Sequence, residues 1–225
     1  MKMLIATLTI AFFTGLLSTC FAKDEIFCSK QILAKETNSG FTWTLTSRLG
    51  EILHNAEKRY GERDKSWTIL GVEFSNLSQP EIWYPSPDDG RKHVIIQLTK
   101  KASQDKKSAL YQLSHEVVHL LSPAGRDGST VFEEGLAMYF AITNLQTMNY
   151  DISDRYISGK KYKQAYKLVD NLYKNFDNAE ARIKKLRSKV KRTRDITPLQ
   201  FSIAFKGLNK KYAQLLATKY SAWKF

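Results

Sequence analysis

Two histidines and a glutamate stand together in His115-Glu116-Val117-Val118-His119. If this segment is helical, His115 and His119 lie one turn apart and about 40° apart around the axis, so both imidazoles can reach one metal ion. A glutamate beside the first histidine then faces a water held at the same ion, which is what zinc-dependent hydrolysis requires. The neighbouring residues favour a helix. With His115 set at zero and about 100° per residue, Leu110, Leu113, Val117, Leu120 and Leu121 fall between about 140° and 240°. The apolar face therefore opposes the histidines, so that one side packs on a core and the other looks into a cleft. The chain holds only 4 histidines in 225 residues, and two of them fall in this motif, which argues against coincidence.

Zinc in hydrolytic sites takes three protein ligands and keeps a fourth position for water. A third ligand is offered by Phe132-Glu133-Glu134-Gly135-Leu136-Ala137, at the start of the following helix. Two glutamates compete for the role. Thr130-Val131-Phe132-Glu133 has the form of a capping box, in which Glu133 reaches back to the backbone amide of Thr130. That reading leaves Glu134 for the metal.

These residues together resemble the gluzincin metallopeptidases, the group that includes thermolysin-like enzymes and the zinc aminopeptidases. Their pattern is an HExxH helix followed downstream by a glutamate ligand, often in an Asn/Glu-Glu-Gly-x-Ala context. The resemblance runs from about His93 to Phe140. It implies one zinc ion held by His115, His119 and Glu134, with Glu116 as general base in the hydrolysis of peptide bonds by a zinc-activated water. The partner it implies is a peptide or protein substrate. Between His119 and Glu134 lie 14 residues, fewer than in the aminopeptidases, so the likeness is to the broad group. The group also supplies a tyrosine, histidine or arginine to the oxyanion. Tyr139, Tyr150 and Tyr156, of 11 tyrosines, lie downstream of Glu134 as candidates, although Tyr139 on an apolar helix reads better as core packing. His54 and His93 read as ordinary polar histidines.

Several elements must position this motif. Residues 41–60 read as a helix, with Leu45, Leu49, Ile52, Leu53 and Ala56 at helical spacing and Gly61 as its stop. Short β-like runs follow at Trp67–Phe74, Glu81–Tyr84 and His93–Leu98, punctuated by Pro80, Pro85, Pro87 and Asp89-Gly90. The His93–Leu98 run reads either as a cleft-edge strand able to pair with an extended peptide or as an interior strand. A long helix is expected from Ser103 to Leu121, a loop over Ala124–Ser129, and a second helix from Val131 to Leu145. Beyond it the texture is helical and basic, with Thr197-Pro198 marking a new helix start.

The expected fold class is α+β: a small mixed-sheet lobe with a zinc-binding active-site helix, zincin-like, over 23–150, and a basic helical C-terminal subdomain over 151–225. Residues 1–22 read as a secretory signal peptide, from Lys2, the apolar Leu4–Leu17 stretch and Ala22 before Lys23-Asp24-Glu25. Export is therefore expected. Leu17-Ser18-Thr19-Cys20 also resembles a lipoprotein cleavage box, which would tether the chain through Cys20. Cleavage after Ala22 would instead leave Cys28 alone, without an intramolecular disulfide.

The formal charge of +13 is unevenly spread. Residues 23–149 carry 15 Lys and Arg against 16 Asp and Glu, whereas residues 150–225 carry 19 against 6. The run from Arg182 to Arg194 is the densest part. It reads as a solvated helix face or as a surface for an anionic membrane or wall polymer. Nucleic acid is a poor target for an exported chain. The alternative to an enzyme is thus a non-catalytic zinc-containing or basic surface-binding protein.

Overall fold

The computed structural model describes residues 36–37, 40–41, 45–85, 90–123 and 128–224. The signal-peptide and lipoprotein readings, with Cys20 and Cys28, lie outside the described residues. The fold is α+β, with seven α-helices and a small three-stranded mixed sheet among the described residues. No helix among them is long and apolar enough to cross a membrane.

A short antiparallel pairing of β1 (Glu36–Thr37) with β2 (Gly40–Phe41) comes first. Helix α1 spans Leu45–Tyr60 and buries Leu49, Ile52, Ala56 and Tyr60, the stripe that its spacing predicts. Gly61 ends it at φ 92°, a conformation that costs glycine little, and its amide bonds Glu57 O at 2.8 Å. The sheet comprises β3 (Thr68–Ser75), β4 (Glu81–Trp83) and β5 (His93–Thr99) in the order β3-β5-β4. β5 runs parallel to β3 and antiparallel to β4. Val94, Ile96 and Leu98 are buried on alternate positions of β5, the period of two expected where a strand lays one face on a core.

This order decides the question left open over His93–Leu98. β5 is the central strand, paired with β3 on one side and over Ile95–Gln97 with β4 on the other, and β3 and β4 are the edges. The helix expected over Ser103–Leu121 is also divided. Lys100–Gln104 forms a 3₁₀ turn, and α2 begins only at Lys106 and runs to Leu120. Asp105 causes the break: its backbone is extended (φ −140°, ψ 108°) and its carboxylate accepts from the amide of Lys107 as an N-cap.

Helix α3 spans Val131–Thr147 and lies against α2. Asn144 Nδ2 donates to Ser114 Oγ at 3.1 Å inside that contact. Helices α4 (Lys160–Asn175), α5 (Ala179–Arg187), α6 (Pro198–Ala204) and α7 (Lys210–Ala217) complete the chain. Thr197 and Gln200 form the capping box that starts α6, with proline in its first turn. One cluster of buried apolar side chains runs from Leu49 of α1 to Leu216 of α7.

Arg187 lies in the middle of the basic run but is buried. Its guanidinium donates to the carbonyls of Tyr60, Gly61 and Leu121 and to Thr193 Oγ1. It therefore joins α5 to the C-terminal ends of α1 and α2, where carbonyls lack helical partners and a cation is favoured.

Helices α3 and α4 approach closely at Gly135. A Cβ placed on Gly135 would fall 2.3 Å from Ala165 O and 2.8 Å from Val169 Cγ2. Gly135→Ala would raise helix propensity, worth about 1 kcal/mol, but it must drive α4 outward. Overpacking at a backbone contact costs ~1–3 kcal/mol and here outweighs the propensity gain. The variant is expected to melt several degrees below wild type in thermal unfolding followed by circular dichroism.

Candidate metal centre

The α2–α3 contact brings His115, His119 and Glu134 to one point. His115 Nε2 and His119 Nε2 are 3.3 Å apart. Glu134 Oε2 lies 3.4 Å from His115 Nε2, and Glu134 Oε1 lies 3.7 Å from His119 Nε2. One ligand atom from each residue falls within 4.8 Å of the others, so the group could hold one metal ion. A tetrahedral site with arms of about 2.1 Å has edges of about 3.4 Å, which matches these separations. Glu134 Oε2 is buried without a hydrogen-bond partner. A buried carboxylate oxygen left in that state is costly, and a cation would satisfy it.

The polar face of α2 looks into a narrow cleft, as its apolar spacing implies: α3, α4 and β4 enclose most of it, leaving His115 at 6% and Glu116 at 3% exposure. The remaining opening is a groove of about 240 Å³ bordered by Ile82 of β4, Ser129 and Tyr162, with His115, Glu116, His119 and Glu134 in its wall. A second recess, about 170 Å³, continues past His115 between Tyr111, Met138 and Tyr156.

Burial pushes the Glu116 carboxyl up, only partly opposed by His115 and His119. Burial would lower His119, but Glu134 and Glu133 beside it outweigh that and raise it to about 10. Burial would likewise raise Glu134, but His119, His115 and the Ser129 hydroxyl outweigh it and lower the carboxyl to about 2. The cluster thus holds Glu134 ionised and accommodates positive charge between the imidazoles.

Glu133 departs from its expected role. The first half of the capping box forms, with Thr130 Oγ1 accepting from the Glu133 amide at 3.2 Å. The carboxylate, however, turns to His119 Nδ1, 3.0 Å away. In the neutral tautomer that carries its proton on Nδ1, His119 donates to Glu133 and leaves Nε2 free to face Glu134 and His115 as a metal ligand must. A histidine fixed in this way is the usual outer support of a metal ligand. Ser129 Oγ donates to Glu134 Oε1 and steadies the third ligand.

The three tyrosines singled out from sequence are not equivalent. Tyr139 is turned away and stacked on Tyr173 with centroids 4.0 Å apart, as core packing requires. Tyr150 lines neither opening. Tyr156 lines the inner recess, against Tyr111. Tyr162 of α4, which the sequence did not single out for the site, lines the groove beside the cluster. Its ring lies 6.2 Å from that of His115, and burial with Glu134 and Glu116 nearby raises its hydroxyl, which stays protonated. Tyr220 packs on Tyr162 at 5.1 Å with its hydroxyl buried and unpartnered. It arrives because Tyr220 N bonds Ser129 O and Val131 N bonds Thr218 O. His54 is exposed on α1 and His93 begins β5; neither joins the cluster.

Comparison of the chain with protein-family models, curated proteins and solved structures finds no match.

Purified protein is expected to carry about one divalent metal ion per chain. His119→Ala and Glu134→Ala should each abolish that stoichiometry in metal analysis. Glu133→Gln should keep the ion but weaken its binding about 10- to 100-fold in a chelator competition, because His119 loses its charged acceptor.

Proposed function

We propose that this chain is a zinc metallopeptidase of the gluzincin kind and zincin-like in its fold, in which His115, His119 and Glu134 hold the ion and Glu116 is the general base. The observation that carries this reading is the convergence of two imidazoles and one carboxylate from facing helices, with a buried glutamate beside them. Two nitrogens and one carboxylate suit zinc, whereas calcium and magnesium ask for more oxygen donors. Bound there, zinc would supply Lewis acidity and lower the pKa of water.

The chain's own groups supply the rest. Glu116 has its nearer oxygen 3.9 Å from His115 Nε2 and opens on the groove. Its raised basicity suits it to take a proton from the attacking water and return it to the departing amine. Tyr162, protonated and lining the same groove, is suited to donate to the oxyanion that develops on the scissile carbonyl. Among the described residues β4 is an edge strand, and its Glu81 and Ile82 line the groove, so it offers backbone partners to an extended peptide. An extended chain laid there passes beside Glu116.

Glu116→Gln should retain zinc and lose turnover of a peptide library by at least about 10²-fold, since amide cannot accept the proton. Tyr162→Phe should reduce kcat about 10²- to 10³-fold with KM little changed, because its hydroxyl acts only as charge develops. Full activity in Glu116→Gln would overturn the assignment.

A further inference from the structure

The outer face of the C-terminal helices carries a feature that the metal centre does not use. α6 buries Phe201 yet turns Leu199 and Ile203, one turn apart, to solvent at 69% and 59% exposure. A surface helix normally confines its apolar residues to one face; α6 is apolar on both. Ile203 borders a groove of about 280 Å³ between α5 and α6, floored by Leu186 and Ala204 and rimmed by Arg182, Lys185 and Lys189. No carboxylate lines it. Lys185 and Lys189 are exposed and make no ion pair among the described residues, and exposed Lys206 follows Ile203. Arg182 is held by the carbonyls of Asp177 and Ala204, so its charge is fixed at the groove.

A basic face that only faces water, or that binds a polyanion, has no use for two protruding aliphatic side chains. A bilayer interface uses both features: aliphatic groups enter the acyl boundary while lysine stems follow them and leave their ammonium groups at the phosphates. Charge complementarity therefore selects a negatively charged lipid surface. We propose that this face docks the protein onto an anionic bilayer, with Leu199 and Ile203 entering the interface and Lys185 and Lys189 meeting the headgroup phosphates. The proposal is independent of the metal centre and stands whether or not the chain is a peptidase.

The test is flotation of the full chain with vesicles of phosphatidylcholine alone and of equal parts phosphatidylcholine and phosphatidylglycerol, at low and high salt. Wild type should favour the anionic vesicles, and salt should weaken that preference. A lysine near an anionic surface is worth roughly fivefold, so Lys185→Glu with Lys189→Glu should cut the preference at least about 25-fold. Leu199→Ser with Ile203→Ser, which leaves the charge unchanged, should cut anionic binding at least about tenfold while keeping the wild-type circular dichroism spectrum. Three results would each overturn the proposal. The first is equal binding to both vesicle types. The second is wild-type binding by the serine variant, which would mean diffuse charge alone. The third is conversion of a dimer to a monomer by the serine substitutions, which would make this face a contact between copies.

Discussion

Three carboxylates, Glu116, Glu133 and Glu134, are buried beside two imidazoles where α2 meets α3. Charge in that position is expensive unless paired, and much of the architecture serves to offset it. Glu133 and Glu134 stand in the first turn of α3, where the helix dipole favours negative charge. His119 stands in the last turn of α2, where positive charge is favoured. Ser129, Thr130 and His119 take up the hydrogen-bonding capacity of the α3 turn, and buried Arg187 adds a cation on the Glu133 side. What remains beside the imidazole Nε2 atoms is the unpartnered Oε2 of Glu134, 3.4 Å from His115 Nε2, while the buried Nδ1 of His115 also lacks a partner among the described residues. The imbalance that is left is the one a divalent cation removes.

The same junction explains why the C-terminal helices matter to a site whose candidate ligands all precede residue 135. Gly135 admits the backbone of α4 at Ala165. That contact sets Tyr162, one turn earlier on the same face, over His115. From the other side, the Thr218–Tyr220 segment pairs with Ser129–Val131 and fixes the start of the ligand-bearing helix. Phe201 of α6 packs edge-on against Phe132 at 4.9 Å, beneath the glutamates. The first turn of α3 is therefore held by chain remote in sequence, which keeps Glu134 in place without relying on the loop before it.

Much of this was legible in the sequence because it depends on local periodicity. The three strands, the α1 stripe with its Gly61 stop, and the opposition of histidines to leucines on α2 follow from spacings of two or of three and four residues. So does the placing of His115 and His119 one turn apart, whereas Glu134 was preferred to Glu133 on the motif and on a capping box whose carboxylate half turns to His119. Other features depended on partners that no local pattern reveals. Thr-x-x-Glu is the same string whether the glutamate caps its own helix or turns to His119, and only the neighbouring α2 decides between them. Strand order is likewise non-local, so the edges fell to β3 and β4 and not to β5. The N-cap at Asp105 divides the helix expected over Ser103–Leu121, within a polar run that carries no periodicity to mark the break. Tyr162 did carry a signal: with Tyr166, Val169 and Tyr173 it lies on the face of α4 opposite the lysines. That pattern marks the buried side of the helix but not the site it reaches.

The basic C-terminal run separates by residue type once its contacts are known. Arg182 and Arg187 turn their guanidinium groups onto backbone carbonyls, and Arg194 donates to Gly128 O. A planar group with several donors can serve several carbonyls at once and tolerates burial better than a strongly hydrated ammonium. Arg187 shows the cost as well: burial lowers it to about 10, yet it remains charged at neutral pH and links three chain segments. Lys185, Lys189 and Lys191 stay exposed, with Lys184 alone reaching a carbonyl, that of Lys58. The concentration of charge that looks uniform in the sequence is therefore two populations with different physics. Arg182, Arg187 and Arg194 act inward, on helix ends and on the wall of the candidate metal centre, whereas Arg192 pairs with Asp195 at the surface. The outward lysines are nearly free of such contacts, so they could change with the surface the protein meets while the site behind them stayed the same.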